Sequence, residues 1–450
     1  MRETLNIRHK YFYTAGLAFA MGLFLVGFLL DDPRNILPGL WTILSSQDVL
    51  ITDYFALAGP GAAFVNSALV VLCTLGLKWL VHEPQNGFDI VDLGLMAGFS
   101  LFGKNILNIW PIILGTWLFS RLKHEPFGKF LSVALLATSL SPLVSFAGLT
   151  TGWDAPVLGL LLGVLVGFVA VPLSNYTYRI QNGMNLYNMG FACGLLAMVI
   201  VPLLTAMGRS PQKANYWATG YNLPLGIMLG VLCAVLIAAG LLTGRRSALK
   251  RYWKLLHTTG RSPSDYLRMF GPSATLINMG VNGAISTAFI LLTGGDLNGP
   301  TVGCIFTVIG FSAFGKHARN ILPTMAGVLL GSLLLHFSIN DPAVQIALLL
   351  CTTLAPISGC FGWPFGILAG FLHSAMVLEA GSVAEGINLY NNGFSGGLLA
   401  IVLYPIISSL AFHRKAMLQD KEYLDVFLDE SPLSPEEQEQ DHSKDIEMPF

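Results

Sequence analysis

The sequence predicts an all-α polytopic membrane protein built from two inverted-topology repeats. Three observations predict it: an apolar composition, phrases that occur twice in the same order, and the placement of lysine and arginine. The chain has 450 residues, 53% of them hydrophobic and 11% charged. A soluble domain carries about 25% charged residues. Polar side chains are thus too few to cover a soluble globule of this size, and lipid has to solvate most of the surface. The formal net charge of −1 gives no electrostatic footprint for a nucleic-acid partner.

The repeats are long. "NLYNMGFACGLLA" at residues 185–197 returns as "NLYNNGFSGGLLA" at 388–400, with ten of thirteen positions identical. "DYFALAGPGAAFVN" from Asp53 returns as "DYLRMFGPSATLIN" from Asp265, an offset of 212. "GFSLFGKNILNIWPIILG" from Gly98 returns as "GFSAFGKHARNILPTMAG" from Gly310 at the same offset. "TSLSP" at 138–142 pairs with "TTLAP" at 352–356, and Trp41 pairs with Trp253. The order predicts a first membrane repeat at 1–218 and a second at 219–411. A Pro- and Ser-containing acidic tail follows at 412–450, read as cytoplasmic and disordered. A period this long marks a duplicated domain rather than a short-repeat array.

Taken in order, the apolar runs give the crossings. Residues 11–30 are uncharged over 20 positions, enough for a core of about 30 Å. They follow a basic start and lack a small-residue cleavage site before "DDPRN", so they read as a retained first helix. With the N terminus in the cytoplasm, 62–80 returns inside, 98–120 also ends inside at Arg121 and Lys123, and the helices at 130–148, 156–172, 186–207 and 223–242 then alternate, so that basic clusters stay inside. On this path only Arg34, Arg209 and Lys213, of 25 basic residues, fall outside. The second repeat then starts on the inner face where its counterpart was outside, so the halves are inverted. "SALKRYWKLLH" at 247–257 reads as a basic, aromatic interfacial helix.

Residues 91–120 are too long for one straight crossing and too short for two of about 20 residues each. "FGKNILN" interrupts them. Two readings fit: five crossings plus a re-entrant, broken hairpin per repeat, or seven crossings per repeat. Paired interrupted segments in both halves point to a transport site at the midplane. Lys104 and Lys316 are equivalent there, as are Asn108 and Asn320, and Arg319 and His317 add positive potential without an Asp or Glu in either break. An acid-free, positive constriction suits an anion or an electron-rich polar solute. The alternative makes "GKHAR" a positive inner loop.

Asn185, Tyr187 and Asn188, with Asn388, Tyr390 and Asn391, open the repeated phrase. They read either as helix caps and interfacial aromatics beside closely packed Gly194 and Gly397, or as a pair of amide-and-phenol selectivity elements. Asn66 and Asn278 read as interhelical hydrogen-bonding amides, Asp53 and Asp265 as interfacial or cap residues, and Asp92 as the one candidate proton or cation site near a break, though its place at a segment start reads as solvated. The six cysteines lie in apolar runs without CxxC spacing, so neither a disulfide framework nor a metal centre is indicated. No catalytic motif is present, and no cofactor is expected.

With "FGKN" and "NLYN.GF" in both halves, the chain resembles an uncharacterised bacterial multi-pass family, a duplicated domain of unknown function. The resemblance covers about residues 11–411 and implies a membrane location and a duplication. A weaker similarity is to the bacterial urea transporters, likewise inverted repeats of five helices plus a re-entrant element. Their motif prolines and "GYNG" differ from "KNILN" and "LYNMG" here, and no site residue is carried across.

The expectation is a transporter or channel of the cell membrane, with both termini cytoplasmic and the solute bound between the two broken segments. Its partners are a small polar or anionic solute and the lipid bilayer, with homo-oligomerisation left open. A membrane enzyme acting on a lipid-phase substrate and a non-transport scaffold are the alternatives. The enzyme would need acids or histidines clustered at one face.

Overall fold

The structure is a computed structural model that describes residues 2–82, 84–150, 152 and 154–410. The predicted acidic tail lies outside them. The first repeat runs α1 (Arg2–Leu30), α2 (Pro33–Leu44), α3 (Tyr54–Ala58), α4 (Pro60–Val81), α5 (Gly87–Phe99), α6 (Trp110–Leu122), α7 (Gly128–Ala137), α8 (Ser141–Leu149), α9 (Ala155–Gln181) and α10 (Asn188–Ala206). The second runs α11 (Asn222–Leu255), α12 (Tyr266–Leu292), α13 (Gly299–Phe311), α14 (Ala318–Leu334), α15 (Pro342–Leu350), α16 (Ala355–Phe361), α17 (Trp363–Val383) and α18 (Asn391–Leu410). Short 3₁₀ turns, Thr138–Leu140 and Cys351–Leu354, join α7 to α8 and α15 to α16.

Among the described residues, ten segments are long and apolar enough to cross a membrane, five in each half. The chain is thus a polytopic all-α membrane protein. The elements correspond in order. α11 breaks at Arg245 (φ 46°) into a membrane part, matching α1, and a basic part, matching α2. Trp41 and Trp253, 72% and 65% exposed, face outward from these two short helices, as interfacial tryptophans do. α12 breaks at Gly271 before Pro272, where the first repeat has α3, Gly59 and α4.

Side-chain contacts fix the direction of each helix. α1 packs against α4 antiparallel: Gly16 lies against Leu75, and Gly27 against Gly61. We call the side where α1 begins the N face and the other the far face. α4 therefore returns to the N face, where Lys78 pairs with Asp89 and with Asp92 (2.8 Å) at the start of α5. Further along α5, Ser67 bonds the Ala97 carbonyl at 2.7 Å and Asn66 the Ser100 carbonyl at 2.8 Å. α5 thus enters from the N face.

α6 goes back to the face it came from. Successive contacts of Pro111 with Gly163 and of Gly115 with Val164 and Phe168 make α6 parallel to α9. Phe119 near the end of α6 meets Phe130 near the start of α7 at 5.6 Å. α9 itself begins on the far face: Asp154 at its start pairs with Arg209 after the end of α10. Each 13-residue half-helix spans about 20 Å at 1.5 Å per residue, roughly two-thirds of the hydrocarbon core. α5 and α6 therefore form a splayed re-entrant hairpin, and each repeat has five crossings.

The second repeat is built the same way, upside down. Asp265, before α12, accepts the Gly87 amide of α5 at 3.1 Å, so α12 starts at the N face. Asp53, before α3, lies against Gly299 of α13 and accepts the Ala218 amide at 2.8 Å, so α13 starts at the far face. Each aspartate caps its own helix and closes on the half-helix of the other repeat. Asn86 and Asn298 supply capping boxes at the same two starts. α14 runs parallel to α17, through Gly327 against Ile367 and Gly331 against Ser374.

The re-entrant topology is directly testable with single cysteines in a Cys73→Ser background, the other native cysteines being buried. Pro84→Cys and Lys123→Cys should label from one face, and Thr293→Cys and Asn340→Cys from the opposite face. Labelling of Pro84→Cys and Lys123→Cys from different faces would make α5 and α6 a full crossing.

Candidate functional site

The two hairpin tips carry the same turn. α5 ends with the Lys104 amide on the Phe99 carbonyl (2.9 Å), and α13 with the Lys316 amide on the Phe311 carbonyl (3.2 Å). Gly103 (φ 120°) and Gly315 (φ 92°) supply the conformation this turn needs. Carbonyls freed here lie at membrane depth and need donors. Asn66 gives its amide to the Ser100 and Lys104 carbonyls at 2.8 and 2.9 Å, and Asn278 to those of Ser312 and Lys316 at 2.7 and 2.6 Å. Asn108 and Asn320 clip the turns from inside. Their amides donate to the Gly103 and Gly315 carbonyls at 3.0 and 2.9 Å, and their oxygens accept the Asn105 and His317 amides, each at 2.9 Å.

Both lysine side chains turn into the protein and are 0% exposed. Lys104 Nζ donates to Tyr390 Oη at 2.5 Å and lies 3.6 Å from Met96 Sδ. It stands 4.7 Å from the Tyr390 ring centroid and 5.6 Å from that of Phe99. Lys316 Nζ donates to Tyr187 Oη and, at 2.7 Å, to Thr352 Oγ1. Its ring contacts are Tyr187 at 4.3 Å and Phe311 at 5.1 Å. Each lysine of one repeat meets a tyrosine of the other. Phenol, hydroxyl, thioether and aromatic face surround each lysine nitrogen, and among the described residues no carboxylate pairs with it.

The tyrosines stand at a second pair of breaks, between α9 and α10 and between α17 and α18. Asn185 donates to the Gly393 carbonyl at 3.0 Å, and Asn388 to the Gly190 carbonyl at 3.2 Å. Their oxygens accept the Tyr187 and Tyr390 amides at 3.2 and 3.1 Å. The two breaks are thus hydrogen-bonded to each other around a pseudo-twofold axis. A Cβ on Gly190 would lie 2.6 Å from the Tyr390 carbonyl and 3.0 Å from Gly393 Cα; the mirror-image contacts hold for Gly393. Phe191 and Phe394 stack across the axis at 5.9 Å. α5 and α13 also cross there, with Gly98 on Gly303.

The 3₁₀ turns complete the ring. The Leu186 amide donates to the Thr353 carbonyl (3.0 Å), and the Leu389 amide to the Ser139 carbonyl (2.9 Å). Thr353 Oγ1 also reaches Asn185 Oδ1. "TSLSP" and "TTLAP" were visible as repeats, but nothing in the sequence placed Thr352 on Lys316.

The structure therefore gathers Lys104, Lys316, Tyr187, Tyr390, Asn185 and Asn388 about one axis. It does not bring the other sequence candidates to the lysines. Asn108 and Asn320 are occupied by the tips. Asn188 and Asn391 bond back to the Ser174 and Val377 carbonyls of α9 and α17 at 2.9 and 3.3 Å. Arg319 is exposed.

A buried carboxylate escaped the sequence reading. Asp48, in the far-face loop between α2 and α3, is 1% exposed and packs on the first tip. It accepts from Tyr54 Oη (2.7 Å), Ser145 Oγ (2.6 Å), Asn105 Nδ2 (3.0 Å) and Asn108 Nδ2 (3.1 Å). Burial pushes its pKa from 3.8 up to about 7, against the pull of those donors. Asp53 is likewise raised to about 7 by burial, opposed by amide donors including Ala218 and Phe55. Among the described residues no group of three or more His, Cys, Asp or Glu side chains could hold a metal ion.

Five crossings and a re-entrant hairpin per half, inverted and joined at a central ring of chain breaks, define a duplicated multi-pass membrane protein. The chain belongs to the family described as "Protein of unknown function (DUF1576)", whose family model matches twice, at residues 32–206 and 245–409. The second match begins at the Arg245 break in α11. No curated protein and no solved structure matches the chain.

The glycine crossing can be checked by thermal unfolding of the purified protein. Gly190→Ala and Gly393→Ala should each destabilise by about 1–3 kcal/mol through overpacking against backbone. Gly76→Ala and Gly230→Ala, where a new Cβ meets nothing within 4 Å, should be neutral or slightly stabilising.

Proposed function

We propose that the protein moves a small anion across the cell membrane, binding it at the two Lys–Tyr pairs and exposing it to each face in turn. The observation that carries this reading is a pair of buried lysine side chains at chain breaks, each bonded to a tyrosine of the opposite repeat and to a neutral group of its own. An uncompensated buried charge is costly, and an arriving anion supplies the missing counter-charge. Phenol and threonine hydroxyls can reorient to donate to it. The starts of α10 and α18 add positive helix ends next to Tyr187 and Tyr390. Inverted halves give the two faces equivalent gates, as alternating access requires.

The charge distribution supports a cytoplasmic N face. The far-face loops at 293–298, 335–341 and 384–387 carry no Lys or Arg, whereas 245–261 holds six. Such a bias sets orientation in the membrane.

Thermal stabilisation against a panel of small anions, amides, polyols and cations tests the reading. An anion present at 100 times its dissociation constant should add about 2.7 kcal/mol to the native state. Lys104→Met and Lys316→Met should each abolish that gain while folding normally, since an apolar replacement of a buried charge is often neutral. Stabilisation by a neutral solute that survives both substitutions would overturn the anion site.

A further inference from the structure

The two hairpin tips match closely where they face the axis and differ on the side turned away from it. At the offset of 212, the second repeat has Gly260 where the first has Asp48, and His317 where it has Asn105; Gly359 stands at the equivalent of Ser145. Gly260 packs directly on the Gly315 carbonyl, and His317 Nε2 reaches the Thr258 carbonyl at 3.0 Å. The second tip is thus closed by backbone. The first is closed by a carboxylate.

The geometry around Asp48 selects its ligand. Asn105 Oδ1 accepts the Leu107 and Asn108 amides at 3.0 and 2.9 Å, and Asn108 Oδ1 accepts the Asn105 amide at 2.9 Å. Both side-chain amides are therefore fixed with their NH₂ groups toward Asp48. A metal cation needs lone pairs there and would meet N–H groups instead. A proton needs only one acceptor, and the Ser145 and Tyr54 hydroxyls can rotate from donor to acceptor. Exposed Gln47 adjoins Asp48, so far-face water lies one residue away.

We propose that Asp48 is a proton-binding latch on the first hairpin tip, through which a proton entering from the far face is coupled to the solute held by Lys104. The proton comes from water on the far face and forms an O–H bond on the carboxylate, which then donates to Ser145 or Tyr54. Asn105 and Asn108 shape the turn that carries Lys104. Opening that turn to far-face water would return the carboxyl toward its ordinary range, so the bound proton favours the closed tip and its release lets the tip loosen toward the far face. One proton and one monovalent anion then cross without net charge. This coupling rests on the anion-transport reading; the protonation and the latch do not.

Other titratable groups lie near. Tyr54 bonds Asp48 directly, and Lys104 is the neighbour of Asn105 but points to Tyr390. Asp53 ends the same loop. Glu385 precedes Gly386, whose carbonyl takes the Leu50 amide at 2.9 Å, and Lys213 precedes Ala214, whose carbonyl takes that of Ile51 at 2.7 Å. Asp48 and Asp53 are both raised to about 7, so the assignment needs both substitutions. Because burial raises each pKa above its unfolded value, the stability each contributes is complete below about 4 and lost as pH rises to about 7.

Infrared difference titration of the full chain in liposomes reads the proton itself. Protonated-carboxyl absorption should disappear as pH rises through about 7, one component of it being lost in Asp48→Asn and a different one in Asp53→Asn. Ser145→Ala, which removes one donor from the carboxylate, should move its midpoint upward. Absorption unchanged in Asp48→Asn, an unmoved midpoint of the Asp48 component in Ser145→Ala, or loss of that component on adding sodium would overturn the proton site. Hydrogen exchange at 100–109 reads the latch. After correction for intrinsic rates, exchange should slow as the wild type is acidified and stay slow in Asp48→Asn at every pH. Exchange indifferent to both would overturn the latch. Failure of every anion to stabilise the protein would sink the transport reading and with it the coupling, while the infrared and exchange results still decide the proton site.

Discussion

A buried lysine nitrogen inside a membrane has to be given partners, and in this chain a tyrosine of the other repeat supplies one to each. Lys104 reaches Tyr390 and Lys316 reaches Tyr187. Each half completes the set with a group of its own, Met96 for Lys104 and Thr352 for Lys316. The rest of the architecture serves this exchange. The hairpins bring the lysines about two-thirds of the way across the core, the breaks before α10 and α18 present the tyrosines, and glycines at both crossings let backbones approach until the pairs can form. Asn66, Asn278, Asn185 and Asn388 give hydrogen bonds to carbonyls that lipid would leave unsatisfied.

Duplication and inversion explain why these parts come in pairs. A pseudo-twofold axis in the membrane plane turns one set of contacts into two without new sequence. It also accounts for Asp53 and Asp265, each of which caps its own helix and closes on the other repeat's half-helix. Departures from symmetry are correspondingly informative. Asp48 against Gly260 concerns the outer surface of a tip. The paired Lys78, Asp89 and Asp92 have Ile290, Thr301 and Cys304 as counterparts, so the N-face end of α5 carries an ion-pair cluster that the far-face end of α13 lacks. The two hairpins share a centre and differ at their rims.

The centre was legible in the sequence because a duplicated phrase imposes the same environment twice. Lys104, Lys316, Tyr187 and Tyr390 stand out as polar residues kept at a fixed offset inside apolar runs. What each one touches was not legible, because partners 286 and 129 residues apart in the chain leave no periodicity. The direction of α6 was hidden too: two 13-residue half-helices read as one long apolar run, and only packing on α9 turns the second one back. Asn108, Asn320, Asn188 and Asn391 look like solute ligands by type and place, but in the fold they bond nearby backbone. Arg319 adds charge to the motif while its side chain remains exposed. Asp48 sits in an ordinary polar loop, "SSQDVL", more than 50 residues before the tip it closes.

The cross-repeat pairing is open to a double-mutant cycle on stability, combining Lys104→Met with Tyr390→Phe and, separately, Lys316→Met with Tyr187→Phe. Groups in direct contact couple by about 0.5–3 kcal/mol, and distant ones add. The account predicts coupling within that range in both cycles, and none between Lys104→Met and Tyr187→Phe beyond what the shared axis transmits. Strict additivity in either contact cycle would contradict it.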